Sequence, residues 1–342
     1  MCNMVRAGGA TLNPSVPPTE AQCGLSRSGC VGEHMTTEPK VLFRQIGSFS
    51  GPVIRGKKPA FATAPQLSSN HLLRAFWLTT MVESGGKLGS VMMADGTGAT
   101  ASLEQVIAVY PRNMKEQGPL FKLLNRIDAV APVSYYLNFY GMGWRISEDG
   151  VLRDKQGKPV APKLIRDTFT PVGGRVPQSA GDGWKRSKEW AIGFHQLFSL
   201  DQTRDTQVRC GIEHITKFAK RVKSKKLLKH TVEDICYGGE VQNPNPFFPQ
   251  CPQMDLAMCM WWNYKTNAPS PALKALNEAR LAFFPLDEPE QFARCLLNKL
   301  RTSRYGRWGT NRYDRSREHA MAVWPPELFE GPDAVMPARK TR

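Results

Sequence analysis

Two carboxyl side chains twelve positions apart, those of Glu83 and Asp95, stand in opposite settings. Glu83 follows Met81-Val82 at the end of a helical pattern, where burial and the negative end of the helix dipole both disfavour the anion. Asp95 lies in a small, polar stretch rich in glycine, which predicts an exposed and ionised carboxylate. Hydrolysis of a glycosidic bond needs this division, because one carboxylic acid protonates the leaving oxygen while a carboxylate activates water.

The elements that must position these carboxyls follow from the local pattern. Apolar residues recur at helical spacing from Leu72 to Met81, after capping residues at 68–70, and Gly85-Gly86 predicts the end of that helix. The stretch Asp95-Gly96-Thr97-Gly98 predicts the turn of a short hairpin or three-stranded sheet directly afterwards. Thr100 follows this turn, where its hydroxyl could hold a water molecule.

A glutamate that ends an apolar helix, followed by a hairpin with the pattern D-G-x-G-x-T, resembles the catalytic core of the lysozyme superfamily. The stretch is most similar to the chitosanases and the bacteriophage lysozymes, and it spans residues 70–110. In chitosanases the pattern reads D-G-x-G-x-T-x-G, and the present chain matches it until Ser102 replaces the last glycine. We expect this serine to alter the turn.

The resemblance implies the roles of three residues and the class of reaction. Glu83 corresponds to the general acid, Asp95 to the carboxylate that activates water, and Thr100 to the threonine that holds it. An inverting hydrolase is expected, with its two carboxyl groups about 6.5–9.5 Å apart. No metal or other cofactor is expected.

Aromatic side chains near these carboxyls are candidates for stacking on sugar rings. The interpretation selects Trp77, Tyr136 and Trp144 as substrate-binding residues, although core packing also fits each of them. Two further polar residues receive structural interpretations: Glu104 as a solvated residue at a strand end, and His195 as a histidine packed in an apolar helix.

The whole chain is predicted to be α+β and mostly helical, a lysozyme-like domain with a small hairpin or sheet beside the catalytic helix. Its composition, 41% hydrophobic and 22% charged, suits a protein with a sizeable core. Three regions are predicted: a disordered arm over 1–50, a catalytic domain with a helical extension over 51–325, and a basic tail over 326–342. A second hairpin is expected between Trp144 and Pro159, and helices near 185–198, 202–227, 253–266, 271–283, 288–302 and 312–323.

A net charge of +16 favours a polyanionic partner. The implied substrate is a β-1,4-linked amino-sugar polymer, and this charge favours anionic peptidoglycan over cationic chitosan. Basic clusters at Lys217–Lys229 and Arg301–Arg315, the second interleaved with aromatic residues, leave a non-catalytic nucleic-acid-binding protein as an alternative. A chitosanase-like enzyme and a lysozyme-like fold that binds glycan without cleaving it also remain open.

The remaining sequence features concern location and thiols. No apolar run approaches the length of a membrane span, and no signal peptide is recognisable. Synthesis in the cytoplasm, or delivery to the cell wall by a dedicated route, is therefore expected.

The eight cysteines form no C-x-x-C pair. They are interpreted as free thiols, several of them packed in the core, rather than as zinc ligands.

Overall fold

Helices dominate the described part of the chain, and most of its strands lie in one small sheet. The computed structural model describes residues 38–46, 49–94, 96–110, 115–131, 133, 141–170, 181–221, 251–267, 269–283, 289–303 and 312–329. The fold is mixed, about 53% helical with a small antiparallel sheet. The predicted α+β class, mostly helical, is confirmed at this level, whereas the finer lysozyme-like assignment stays a proposal.

Five strands form the main sheet in chain order, each antiparallel to its neighbour. They are β1 (Val41–Ile46), β2 (Phe49–Ile54), β3 (Val91–Met92), β4 (Thr100–Ala101) and β5 (Val106–Ile107). Helix α1 (His71–Glu83) lies between β2 and β3 in the sequence. The three short strands that follow this helix are therefore the predicted three-stranded sheet, extended at one side by the β1–β2 hairpin. A separate hairpin, β6 (Arg145–Ile146) with β7 (Leu152–Arg153), lies within the predicted second hairpin.

The helices after the sheet agree closely with the apolar periodicity of the sequence. They are α2 (Leu120–Asp128), α3 (Pro162–Phe169), α4 (Gly181–Ser199), α5 (Asp201–Arg221), α6 (Pro252–Asn267), α7 (Pro269–Phe283), α8 (Pro289–Thr302) and α9 (Arg312–Ala320). A 3-10 turn spans Pro326–Phe329. All six helical segments predicted after residue 184 have a helix in the described part of the chain. Residues 222–227 of the second predicted segment lie outside the described residues.

Two hydrophobic cores organise the described residues. The first joins α1 to α6, α7 and α8 around Phe76, Trp261 and Trp262. The second joins the sheet to α2, α3 and α4 around Phe169 and Trp190. Leu103, just after β4, belongs to the first core, whereas Ala101 on β4 belongs to the second. The segment from Glu83 to Leu103 therefore lies along the border between the cores.

The predicted ends of the domain need correction. Order begins before residue 50, because Val41 pairs with Ile54 and the hairpin continues in register to Ile46 opposite Phe49. The Gly, Ser and Pro content of this region had suggested a disordered arm, but the strand pairing and burial of β2 outweigh it. At the other end, the predicted basic tail starts too early, since Phe329 is buried beneath the Arg317 guanidinium. Residues 1–37 and 330–342 lie outside the described residues.

None of the helices in the described part of the chain is both long enough and apolar enough to span a membrane.

Candidate active site

Glu83 is the last residue of α1, as the sequence predicts. Gly85 and Gly86 have φ angles of +68° and +65°, a conformation that favours glycine and ends the helix. The amides of Ser84 and Gly86 both donate to Thr80 O, at 2.9 and 3.0 Å. The Ser84 hydroxyl donates to Leu103 O at 2.9 Å, which ties the helix end to the strand region. These contacts hold the backbone at the C-terminal end of α1, from which the Glu83 side chain projects.

The partner of the Glu83 carboxylate is a cation from a distant helix. Arg312, the first residue of α9, donates through Nη2 to Glu83 Oε1, and both side chains are about one-sixth exposed. One turn later on α9, the Arg315 guanidinium lies 3.4 Å from Val82 O. A guanidinium stabilises a carboxylate anion. The predicted environment of apolar side chains around Glu83 is therefore incomplete, because it omits this cationic partner 229 positions away.

The other two predicted catalytic residues are Asp95, between β3 and β4 in the sequence, and Thr100, the first residue of β4. Asp95 lies outside the described residues, so the predicted separation of 6.5–9.5 Å stays a prediction. Thr100 is buried, and its hydroxyl lies 3.0 Å from the hydroxyl of Thr97. The Thr97 hydroxyl also donates to Ala99 O at 3.3 Å. These contacts place the Thr100 side chain inside the turn.

Ser102, which stands where the resembled pattern has glycine, adopts a backbone conformation that glycine favours. Its φ angle is +77°, in the left-handed region that residues with a Cβ rarely adopt. Gln105, with a φ angle of +53°, ends the same turn. The expected alteration of the turn relative to the resembled pattern stays a prediction.

Glu104, in this turn, is buried rather than solvated. Its side chain is 8% exposed, and Oε1 lies 2.7 Å from Nδ1 of His214 on α5. The Leu103 amide donates to Gln207 Oε1, also on α5. Neither contact has a local signal in the sequence, because both partners lie more than 100 positions away.

Trp77 and Trp144 are core residues and offer no sugar-binding surface. Trp77 is 3% exposed within the first core, and Trp144 is 4% exposed within the second. The Trp144 ring meets Phe169 edge to face at 6.5 Å. Stacking on a sugar needs an open ring face, which neither indole presents. Tyr136 lies outside the described residues.

A cluster of potential metal ligands lies inside the first core. His71, Asp255 and Cys259 are buried, with one ligand atom of each within 4.8 Å of the others. The Asp255 oxygens, however, accept from Arg74 Nε and Nη2 at 2.7 Å and from Trp324 Nε1 at 2.8 Å. Burial raises the pKa of Asp255, but the hydrogen bonds and charges of His71 and Arg74 outweigh it and hold the pKa below the usual range. This cluster is a structural ion-pair network, since Arg74 already neutralises the carboxylate.

His195 is the predicted packing histidine. It is buried, and Nδ1 lies 2.6 Å from Gly89 O. Desolvation lowers its pKa, and nearby Lys57 acts in the same direction. The neutral ring therefore joins α4 to the chain just before β3.

The two predicted basic clusters differ in how far the structure describes them. The backbone of Lys217 belongs to α5, and residues 222–229 of the first cluster lie outside the described residues. In the described part of the second cluster, Arg312 pairs with Glu83 and Tyr313 is buried. These residues serve internal packing, which weakens the case for an exposed basic and aromatic surface at α9.

Comparison of the chain with family models, curated proteins and solved structures finds no match.

Proposed function

We propose that the chain is a glycoside hydrolase that cleaves the β-1,4 bonds of an anionic amino-sugar polymer, peptidoglycan in particular. The observation that carries the proposal is the arrangement around Glu83. This carboxyl ends a buried helix, two glycines with positive φ angles follow it, and a three-stranded antiparallel sheet comes next. The glycine-like conformation of Ser102 adds support, because it falls where the chitosanase pattern has glycine.

Glu83 acts in this proposal as the general acid toward the glycosidic oxygen. The Arg312 guanidinium binds and orients the Glu83 carboxyl group. This ion pair must open before the carboxyl can act on the substrate, and an anionic group of the substrate is a suitable replacement partner for the guanidinium. Asp95, which the sequence predicts to lie in the turn after β3, activates the water in this proposal. The outcome is hydrolysis with inversion.

The experiment compares wild-type protein with Glu83→Gln on purified insoluble peptidoglycan and measures new reducing ends over time. The variant keeps the size of the side chain but has no proton to donate as an acid, so we expect a loss of about 10²–10⁴-fold. Glu116→Gln is the matched control, because Glu116 is exposed and distant in sequence from the helix end. Equal rates for wild type and Glu83→Gln, or no release by the wild type, would reject the proposal.

A further inference from the structure

The part of the chain around α1 carries charge of almost one sign. Between residues 39 and 94, Glu83 is the only acidic residue, whereas seven residues are basic. The basic residues are Lys40, Arg44, Arg55, Lys57, Lys58, Arg74 and Lys87. This stretch therefore lacks the carboxylates that could neutralise its own cations.

Two of these seven cations are neutralised by carboxylates from other helices. Arg74 is buried and donates through Nε to Asp255 on α6 at 2.7 Å. Lys58 pairs at the surface with Asp201, the first residue of α5. Pairing from outside the stretch therefore exists, but it does not extend to the neighbours of Lys58.

Three exposed cations next to Lys58 keep their full charge. They are Arg55, Lys57 and Lys87, called the loop cations below. None of the three forms an ion pair with any residue that the structure describes. Like charges at a surface repel one another, so a bound polyanion removes an unfavourable interaction there as well as adding a favourable one.

An antiparallel contact between two chain segments brings the loop cations together. Pro59 forms a β-bridge with Lys87. Lys57 precedes Pro59 by two residues, so this register places Lys57 diagonally across from Lys87. Residues in such diagonal positions lie about 7–8 Å apart. Arg55 directly follows β2 and precedes Lys57 by two residues.

Close packing fixes this contact beside the C-terminal end of α1. Gly56 approaches the other segment so closely that a Cβ there would lie 2.0 Å from Leu88 O. The Gly56 amide donates to Ser90 Oγ at 3.2 Å, and Ser90 Oγ lies 3.4 Å from Ser84 O. Since Ser84 directly follows Glu83, the segment with the loop cations adjoins the proposed general acid.

We propose that the loop cations are a docking surface for the anionic glycan strand, next to the place where Glu83 acts on it. The assignment rests on the proposed function, which makes peptidoglycan the polymer. A row of separate charges suits a polyanion rather than one small anion, because lysine acts as a flexible point charge and does not hold an anion in a fixed bidentate geometry. Lys87, four positions after Glu83, is the member closest to it in sequence.

The test measures binding without cleavage, in the Glu83→Gln protein. The test variant also has all three loop cations replaced by glutamine. The matched control instead replaces three other exposed lysines by glutamine, Lys122, Lys155 and Lys158. Both sets lower the net charge equally, but the stretch 145–158 around the control lysines has three acidic residues of its own. Thermal unfolding should show the same midpoint for both variants, because none of the six side chains forms an ion pair with a described residue.

Sedimentation with insoluble peptidoglycan at about 0.05 M NaCl gives the affinities, since screening is weak at this salt concentration. We expect the test variant to bind about 10-fold more weakly than Glu83→Gln and with a shallower dependence on salt, because fewer cations contact the polymer. The control variant should stay within about 2-fold of Glu83→Gln. Equal losses from both variants, or no loss from the test variant, would overturn the docking surface.

A single-stranded oligonucleotide is the competing polyanion. Loss of oligonucleotide binding in the test variant, with peptidoglycan binding retained, would assign the loop cations to nucleic acid and overturn their role in glycan binding. Failure of the proposed function gives a separate result, in which wild type and Glu83→Gln release reducing ends equally. The binding comparison does not depend on that rate, so the two failures are distinguishable.

Discussion

Ser102 shows how a single residue can carry strain that the resembled pattern avoids. A residue with a Cβ in the left-handed region costs roughly 1–2 kcal/mol relative to its ordinary conformation. Ser102 persists there because its carbonyl accepts from Gln105 Nε2 at 2.7 Å and the neighbouring Leu103 is held by Ser84 and Gln207. The surrounding hydrogen bonds therefore impose the conformation.

Ser102→Gly should stabilise the protein. Glycine removes the steric penalty at φ +77°, and its larger entropy in the unfolded chain offsets part of that gain. We expect the free energy of unfolding to rise by about 0.5–1 kcal/mol, measured by urea denaturation with an unchanged m value. Ala101→Gly is the control: it lies in β4 and should destabilise instead. A lower midpoint for Ser102→Gly would show that the turn is not strained.

The structure around a candidate-site residue was predictable from the sequence only where nearby residues in the sequence determine it. Gly85 and Gly86 end α1 as expected, because a helix stop is a local property. The partner of Glu83 was not predictable, since Arg312 reaches it only through the packing of α9 on α1. Trp77 was ambiguous for a related reason: periodicity places a residue on a helix face but does not say whether another element covers that face.

At the scale of elements, α1 is anchored to α6 by the buried Asp255 network. Asp255 on α6 accepts from Arg74 on α1 and from Trp324 after α9, and it lies 2.6 Å from Nδ1 of His71. Three segments of the first core thus converge on one carboxylate. This network fixes the beginning of α1, while Arg312 contacts its end.

Asp255→Asn should strongly destabilise the fold, because it leaves the Arg74 guanidinium buried without its anion. Removing one partner of a buried pair costs about 3–5 kcal/mol, which urea denaturation can measure. Asp205→Asn is the control, since that side chain is 84% exposed beside Arg204 and should change stability by less than about 1 kcal/mol. Similar losses from both variants would contradict the role of the network.

The pH dependence of Asp255 follows from the same pairing. Its pKa is lower in the folded protein than in the unfolded chain. The stabilisation is therefore present above the unfolded pKa and is lost as the pH falls through the folded pKa. The Asp255→Asn variant has no carboxylate to protonate at this position, so it lacks the Asp255 contribution to acid-induced destabilisation. Its free energy of unfolding should therefore fall less steeply with decreasing pH below about pH 4 than that of the wild type.

Among the elements, the helices were predictable and the first hairpin was not. Apolar residues recur about every 3.6 positions over α4 to α8. This periodicity does not depend on how the helices pack against one another, so it indicates these helices directly from the sequence. Strand β2 contains Gly51 and Pro52, which argue against a strand when taken alone. Its order depends on pairing with β3, where Val53 lies opposite Met92. Such pairing joins distant segments and leaves no local periodic signal.

At the scale of the whole molecule, the net charge of +16 should govern the encounter with substrate. Surface charges of one sign attract a polyanion over a distance set by the Debye length. That length falls from about 30 Å at 0.01 M salt to about 3 Å at 1 M. Binding to peptidoglycan should therefore weaken as salt rises, whereas the chemistry at Glu83 should respond less. The effect of salt on binding can be measured apart from its effect on catalysis by using a variant that is expected not to cleave the polymer.

Glu83→Gln protein supplies that separation in a sedimentation assay with insoluble peptidoglycan. We expect the bound fraction to fall several-fold between about 0.01 and 1 M NaCl, because screening removes the long-range attraction. Insoluble chitosan serves as the cationic comparison and should retain little protein at low salt, since both partners are positively charged. Peptidoglycan whose carboxyl groups have been amidated tests the sign directly, because it keeps the glycan but loses anionic charge. Binding that is independent of salt, or equal on native and amidated polymer, would mean that the charge of the chain does not select its substrate.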